Sequence, residues 1–503
     1  MRMDSGASRN ANQGVLLRSY DGATRLRSDV RDVLRPPKRM GKLWSHSGDA
    51  VLPFVCTACL ASLLFGYHLG VINGALDHIA AGLGFADDAI LQGWVVSSTL
   101  AGAAAGSLTG GALADRIGRR RTFQLNALPL FLGPLLSSNS GGFESMVLGR
   151  ILAGIGIGIA SSVVPLYISE IAPTEDRGSL GSLNQIGINI GILLALVAGL
   201  PLAHSPNWWR AMFLLSTLPA ILLLLGMFKC PESPRWLVKQ GRYAEAEAVS
   251  RLLWGKTNKF EEEIGNLKTD GSETFDEDAI WGELLSKRYW KVVSTGASLF
   301  LIQQLSGINT VVFFSTAVFR GAGIKSDVAA SALVGLANVM GSMVASSQMD
   351  KQGRKYLLMS SFTGMGASMV LLALSLAWRS LQTFSAILAV LATVAYMLAF
   401  SYGAGPVPAL LLAEMFASRI RAKAMAFSLG VHWVCNFVVG LLFLSVVEKV
   451  GVSVVYLAFG AVCFCGTFYV SKNLVETKGR SLEEIERELS PAVYNDAPGF
   501  AIL

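Results

Sequence analysis

Among the carboxamides within the long apolar stretches, five are singled out: Gln185, then Gln303, Gln304 and Asn309, then Asn338. A carboxamide carries a donor and an acceptor side by side, the complement of two adjacent hydroxyl groups. Uncharged amides suit an uncharged ligand, whereas a cavity for an ion or an acid calls for opposite charge. Gln304 and Asn309 are separated by Ser306 and Gly307, among others, so a local helix break there brings both to one cavity. Phe313, Phe314 and Trp433 are apolar plates able to cover the C–H face of a hydroxylated ring. A lone buried Asn or Gln is accounted for by an interhelical hydrogen bond worth about 0.6 kcal/mol. Five amides confined to three segments favour a cavity.

Other reactive residue types lack the spacing their chemistry needs. His68, His78, His204 and His432 have no metal-ligand spacing. Cys56 and Cys59 form a CxxC in an apolar run with no further ligands, so they are read as buried thiols. GIGIGIA (Gly154 to Ala160) has the glycine content of a dinucleotide loop, but no strand precedes it and helix packing explains it. No nucleophile–base pair and no Walker sequence appears. Neither an enzyme nor an ATP-driven pump is supported, and no metal or cofactor is called for.

The elements that must position the amides follow from composition. The chain has 503 residues, 52% hydrophobic and 15% charged, with a mean hydropathy of +0.49. Soluble domains run at about 25% charged. Asp, Glu, Lys and Arg are absent from 50–76, 89–114, 122–143, 151–169, 178–209, 211–228, 292–319, 328–349, 356–378, 380–413, 424–447 and 450–471. A bilayer core of roughly 30 Å takes about 20 helical residues, so each segment can span it. Polar and apolar residues do not alternate as a membrane barrel requires. The predicted fold is therefore all-α: twelve transmembrane helices in two groups of six. The divisions are a basic segment 1–49, a first bundle 50–230, a charged extramembrane loop 231–291, a second bundle 292–473 and a tail 474–503.

Loop charges orient the chain. The loops after spans two, four, eight and ten hold eleven Lys and Arg, from Arg116 to Lys423. The loops on the other side hold only Arg150, Arg210, Arg320, Lys325, Arg379 and Lys449. Both termini and the central loop share the basic face, which is normally cytoplasmic. The net charge of +7 sits in these loops and the first 49 residues, which fits a lipid bilayer as partner and not nucleic acid. That first segment holds ten Lys or Arg but also five Asp, a partial match to an organellar transit peptide. The alternative is the cytosolic tail of a plasma-membrane protein.

The two halves repeat. DRIGRRR from Asp115 recurs as DKQGRK from Asp350, and EIAPTEDR from Glu170 as EMFASRIR from Glu414. ESPR from Glu232 recurs as ETKGR from Glu476, and GVIN ending at Asn73 as SGIN ending at Asn309. Such duplication supports transport, because a site between similar halves can open to either side as they rock. Asp115 with Arg119 and Arg120, Glu170 with Arg177, Asp350 with Arg354, and Glu414 with Arg421 are candidate gate pairs at helix ends. In span ten, Gly403, Gly405, Pro406 and Pro408 fall within six residues; such breaks at membrane depth are tolerated where they line a cavity.

Between residues 50 and 490 the chain resembles the sugar porter family of the major facilitator superfamily. The likeness is carried by GYHLGVIN, DRIGRRR, VPLYISEIAPTEDRG, PESPRWL, QQLSGIN, GAGPVP and VETKGRSLEEIE. ALLLAEMFASRIRAKA and SKRYWKVVS look like the plastidic glucose transporters of plants. The resemblance implies a hexose as the transported partner, with Gln185, Gln303, Gln304, Asn309 and Asn338 contacting it. It also suggests the plastid inner envelope. Ser401 and Ala409 stand where many glucose carriers place glutamate and tryptophan, which leaves fructose or another hexose open. Polyol, pentose or disaccharide carriers share the scaffold, and a non-transporting sugar sensor is a further alternative.

Energy coupling is expected to be absent. A proton-linked carrier needs a membrane-embedded group that changes charge, and the uncharged segments hold no Asp or Glu. Proton-linked sugar porters typically place an aspartate after the Gly-Tyr of span one, where this chain has His68. A neutral His68 hydrogen-bonded within the bundle gives facilitated diffusion; a titrating His68 gives a proton symporter.

Overall fold

Inside a bilayer an uncharged run has no partner for its backbone except itself, so it closes its hydrogen bonds as a helix. In a computed structural model the residues described are 46–173, 176–202, 207–254, 281–286, 288–324, 327–378, 384–416 and 420–478. Among them, 11 helices are long and apolar enough to cross a membrane. Spans one and two are Ala50–Leu83 and Ala89–Ile117; spans four, five and six are Phe143–Ile171, Arg177–Pro201 and Trp208–Met227. Spans seven to nine are Trp290–Gly321, Val328–Gln348 and Arg354–Ala377, and spans ten to twelve are Ser385–Leu412, Lys423–Val450 and Val452–Asn473. Span three, Arg119–Ser138, has 20 residues but opens on three consecutive arginines, which dilute its hydropathy. The fold has twelve spans in two pseudo-symmetric sets of six.

Breaks in these helices fall where the sequence weakens them. Span seven stops at Leu305 and restarts at Ile308, with Gly307 at φ 89° between the two pieces. Span ten carries one π turn, Phe400–Ala404, closed by a Gly405 N–H that donates to the Phe400 carbonyl at 2.8 Å. Pro406 and Pro408 follow it directly.

Each half repeats one capping device at its basic face. Gly118 (φ 91°) and Gly353 (φ 89°) precede the first residues of spans three and nine. The Glu232 carboxylate accepts from the backbone of Arg119 at 2.8 Å and Arg120 at 3.2 Å. Glu476 accepts from Arg354 at 2.9 Å and Lys355 at 3.0 Å. An anion on the free N–H groups of a helix start is the expected arrangement. A Cβ on Gly118 would lie 2.4 Å from Glu232 Oε2, so both the dihedral and the space demand glycine. Burial lifts the Glu232 carboxyl above its ordinary range, while the backbone donors of Ser233, Arg119 and Arg120 pull it down. Short helices Pro234–Lys239 and Tyr243–Trp254 lie against the same face. Trp236 Nε1 donates to the Asp115 carbonyl at 2.9 Å and Trp254 Nε1 to that of Ile171 at 3.0 Å.

The halves meet where span five packs on span eight and span two on span eleven. At the face opposite the basic loops they are pressed together. Asn73 Nδ2 donates to Ser315 Oγ at 2.7 Å, and its Oδ1 accepts from the Thr316 N–H at 3.0 Å. Asp77 and Arg320 form an ion pair one turn further out. Gly93 comes so near span eleven that a Cβ there would lie 2.2 Å from the Leu441 carbonyl oxygen.

Candidate substrate cavity

The span-seven amides form one connected cluster. Gln303 Nε2 donates to the Ala404 carbonyl at 2.5 Å. Gln304 Nε2 donates to Gln303 Oε1 at 3.1 Å and meets His432 Nδ1 at 2.7 Å. Asn309 Nδ2 donates to Gln304 Oε1 across the helix break. A peptide carbonyl can only accept, so Ala404 fixes the sense of the whole series. Gln303 must turn its nitrogen to Ala404 and its oxygen to Gln304; Gln304 then turns its oxygen to Asn309. His432 Nδ1 is left as the acceptor, with its proton on Nε2. The break at Ser306–Gly307 expected from sequence is present and joins Gln304 to Asn309.

A second cluster joins spans five, eight and ten. Gln185 Nε2 donates to Asn189 Oδ1 at 3.2 Å. Asn189 Nδ2 donates to Ser342 Oγ and to the Asn338 carbonyl at 3.5 Å. Ser401 Oγ donates to Asn338 Oδ1 at 2.5 Å. The π turn therefore touches both clusters, through Ser401 in one and the Ala404 carbonyl in the other. Gln303, Gln304, Asn309 and Asn338 are all buried, and Gln185 is partly exposed.

Aromatic side chains stand beside the span-seven cluster. The buried Trp433 ring lies 5.0 Å from His432 and 6.0 Å from Phe65, and its Nε1 has no partner among the described residues. Phe314 stacks on Phe443 at 4.8 Å, and Phe313 meets Phe314 edge to face. Sequence reasoning passed over Asn189, Ser342 and His432. Asn189 is legible in the sequence as an amide one turn beyond Gln185 on the same helix face; His432 enters there only as a residue without metal-ligand spacing.

The sequence places Arg150 among the loop charges opposite the basic face, whereas it lies two turns inside span four and is 1% exposed. Its guanidinium donates to the His68 carbonyl at 3.1 Å and the Val95 carbonyl at 3.3 Å, and sits 5.9 Å from the Phe213 ring. Two peptide carbonyls and an aromatic face stand in for part of its water, while Nη2 has no partner among the described residues. His68 itself is buried, and neither ring nitrogen has a partner among the described residues.

At the basic face, Arg119 holds Glu170 through two bonds of 2.8 and 2.9 Å and Asp115 at 3.0 Å, joining the ends of spans two, three and four. Arg120 spends its side chain on the Met227 and Phe228 carbonyls at 3.0 and 2.9 Å. Arg177 opens span five and Arg354 opens span nine. The side chains of Asp350, Glu414 and Arg421 lie outside the described residues. Pro406 and Pro408 begin the helix Val407–Met415 after the π turn.

Comparison with known proteins agrees with this architecture. Residues 54–489 match the family described as "Sugar (and other) transporter". Plastidic glucose transporter 4 of Arabidopsis thaliana is 61% identical over 444 residues, 88% of this chain and 81% of that protein. A D-xylose transporter of Levilactobacillus brevis is 34% identical over 87% of this chain and 95% of its own. Among solved structures, the inward-open xylose transporter XylE from E. coli superposes with a TM-score of 0.76 at 28% identity, covering 87% of this chain and 99% of that one. The proton:xylose symporter XylE bound to 6-bromo-6-deoxy-D-glucose gives 0.75 at 29% identity, covering 88% of this chain and all of that one. This twelve-span membrane protein belongs to the sugar-transporter family of the major facilitator superfamily.

Proposed function

We propose that the protein carries hexoses, glucose foremost, across the plastid inner envelope by alternating access and without a coupled proton. The observation that carries this is the convergence of two uncharged amide clusters on the π turn of span ten. Carboxamides and a serine hydroxyl present donors and acceptors without net charge, as an uncharged polyhydroxylated ring requires. Gln185, Gln303, Gln304, Asn309 and Asn338 bind the sugar hydroxyls, and Trp433 covers a C–H face. The plastidic glucose transporters of Arabidopsis thaliana, 61% and 48% identical, support glucose and the plastid. The Arg119–Glu170–Asp115 cluster, with Arg120, Arg177, Asp350, Arg354, Glu414, Arg421, Pro406 and Pro408, forms the gate and hinge set. Purified protein in liposomes, loaded with labelled hexoses, pentoses and polyols in competition, tests the substrate; failure of glucose to compete would overturn the reading.

A proton-coupled reading has one specific support, the solved relative described as a proton:xylose symporter. Against it, the Asp and Glu of the described spans (Asp77, Asp115, Glu144, Glu170 and Glu448) all fall within two turns of a span end. Arg150 already places positive charge beside His68, and it makes no ion pair among the described residues.

A further inference from the structure

The loop 231–291 closes on a stretch rich in aromatic and basic residues. From Trp281 to Lys291 the sequence reads WGELLSKRYWK, with one acid, Glu283, against three bases, Lys287, Arg288 and Lys291. Trp281–Leu285 is a short 3-10 helix that packs on spans seven and eleven, both of which begin at the basic face. Leu284 is buried, whereas Trp281 and Leu285 are 53% and 69% exposed. Trp290 opens span seven half exposed, and the exposed Leu301 and Leu305 share its side of that helix about three and four turns later. No charge falls between Lys291 and Arg320, so this side of span seven faces hydrocarbon and Trp290 marks its boundary. Trp281 and Leu285 precede that boundary by a few residues. In water they would form an exposed apolar patch; at headgroup level acyl chains cover them. Arg288 and Lys291 are exposed on the same stretch, with the Arg288 guanidinium 5.2 Å from the Tyr289 ring.

We infer that residues 281–291 form an interfacial anchor that selects anionic phospholipids. Trp281 and Leu285 enter the acyl–headgroup boundary of the leaflet at the basic face, and Arg288 and Lys291 hold the phosphate groups above them. The occupant follows from two features of the stretch. Its apolar side chains adjoin the lipid-facing side of span seven, and its basic residues complement a negative headgroup. A guanidinium offers a phosphodiester two parallel donors, and each cation near an anionic leaflet gains about fivefold in affinity. The anchor ties to one leaflet the first turn of the helix whose later turns carry Gln303 and Gln304.

The test uses the full-length protein in phosphatidylcholine vesicles and lipids brominated near the headgroup end of one chain, because bromine quenches an indole that it touches. The emission lost on Trp281→Phe isolates one of the ten tryptophans. Brominated phosphatidylcholine should quench that difference emission at least twofold. Brominated phosphatidylglycerol should reach half-quenching at no more than about a third of the mole fraction that phosphatidylcholine needs. Arg288→Gln combined with Lys291→Gln should bring the two lipids level. Arg121→Gln, which removes an exposed cation elsewhere on the basic face, should leave the preference as it was. The anchor falls if neither lipid quenches the Trp281 emission, which would place the segment in water or against a protein. Selection of anionic headgroups falls if the wild type quenches equally with both lipids. It falls also if the double variant keeps the preference, or if Arg121→Gln abolishes it as the double variant does.

Discussion

Gln303 donates its side-chain N–H to the Ala404 carbonyl at 2.5 Å, and Ala404 lies four residues before Pro408. In an unbroken helix the N–H of residue 408 would take that carbonyl, but proline has none. The amide of span seven supplies the missing donor. Pro408→Ala should return a competing N–H, loosen Gln303 and unset the orientation of Gln304 and Asn309. Losing one hydrogen bond of this kind is worth about 1 kcal/mol, so sugar uptake in liposomes should fall roughly fivefold. Wild-type uptake by Pro408→Ala would separate the proline from the site.

Gln304 is the centre of its cluster, bonded to Gln303, His432 and Asn309. Gln304→Ala strands groups that are buried, at roughly 1–3 kcal/mol for each lost partner. Uptake should be nearly abolished, with the protein still inserted and monodisperse. Glucose should also lose its stabilising effect on thermal unfolding, since only a bound ligand raises the melting temperature. A retained glucose-dependent shift would move the binding site elsewhere.

Closure opposite the basic loops has two parts of unequal weight. The Asp77–Arg320 pair is nearly half exposed on both sides, where an ion pair contributes about 0–1 kcal/mol. Asn73 is 5% exposed and makes two bonds to span seven, so its loss leaves buried groups unpaired. Asn73→Ala should open that face more than Asp77→Asn does. Rates of modification of Val312→Cys, a buried position one turn before the Asn73 contacts, report it: a severalfold rise for Asn73→Ala and little change for Asp77→Asn. The reverse order would show that the ion pair governs closure.

Facilitated diffusion predicts that an imposed pH gradient across sealed liposomes drives no uphill sugar accumulation. His68→Asn should accordingly leave the pH dependence of uptake as it was. Accumulation collapsed by an uncoupler, and lost in His68→Asn, would make His68 the proton carrier.

Plastid targeting is tested by fusing residues 1–49 to a fluorescent reporter. Import into plastids is expected; a reporter left in the cytosol, together with a full-length fusion at the plasma membrane, would overturn the location.

The twelve spans were legible because charge is excluded from a bilayer core, and the amides stood out against that background. Two things escaped for a shared reason. Dividing the chain at every charge cut span four at Arg150, whose carbonyl partners, His68 and Val95, belong to spans one and two. Asn189 carries no signal of its contact with span eight in the sequence, because its partner Asn338 lies 149 residues away. Both depend on which helix faces which, and the repeat of the halves reveals the pairing of motifs without revealing the contacts between spans. The capping role of Glu232 and Glu476, by contrast, was foreshadowed by their recurrence in ESPR and ETKGR, although the glycines they cover were not.

The approach of Gly93 to the Leu441 carbonyl has a consequence for how sugar is sensed from the two sides. Under alternating access, a carrier with this seam shut opens its site toward the basic face. Sugar arriving from the other side meets only the fraction of molecules in which the seam has parted. The apparent dissociation constant there is the intrinsic one divided by that fraction, so one unchanged site yields two half-saturation constants. A methyl group at Gly93 would act as a wedge, enlarging the open fraction and drawing the two constants together. The sidedness of the carrier would then be set at a helix crossing that touches no sugar.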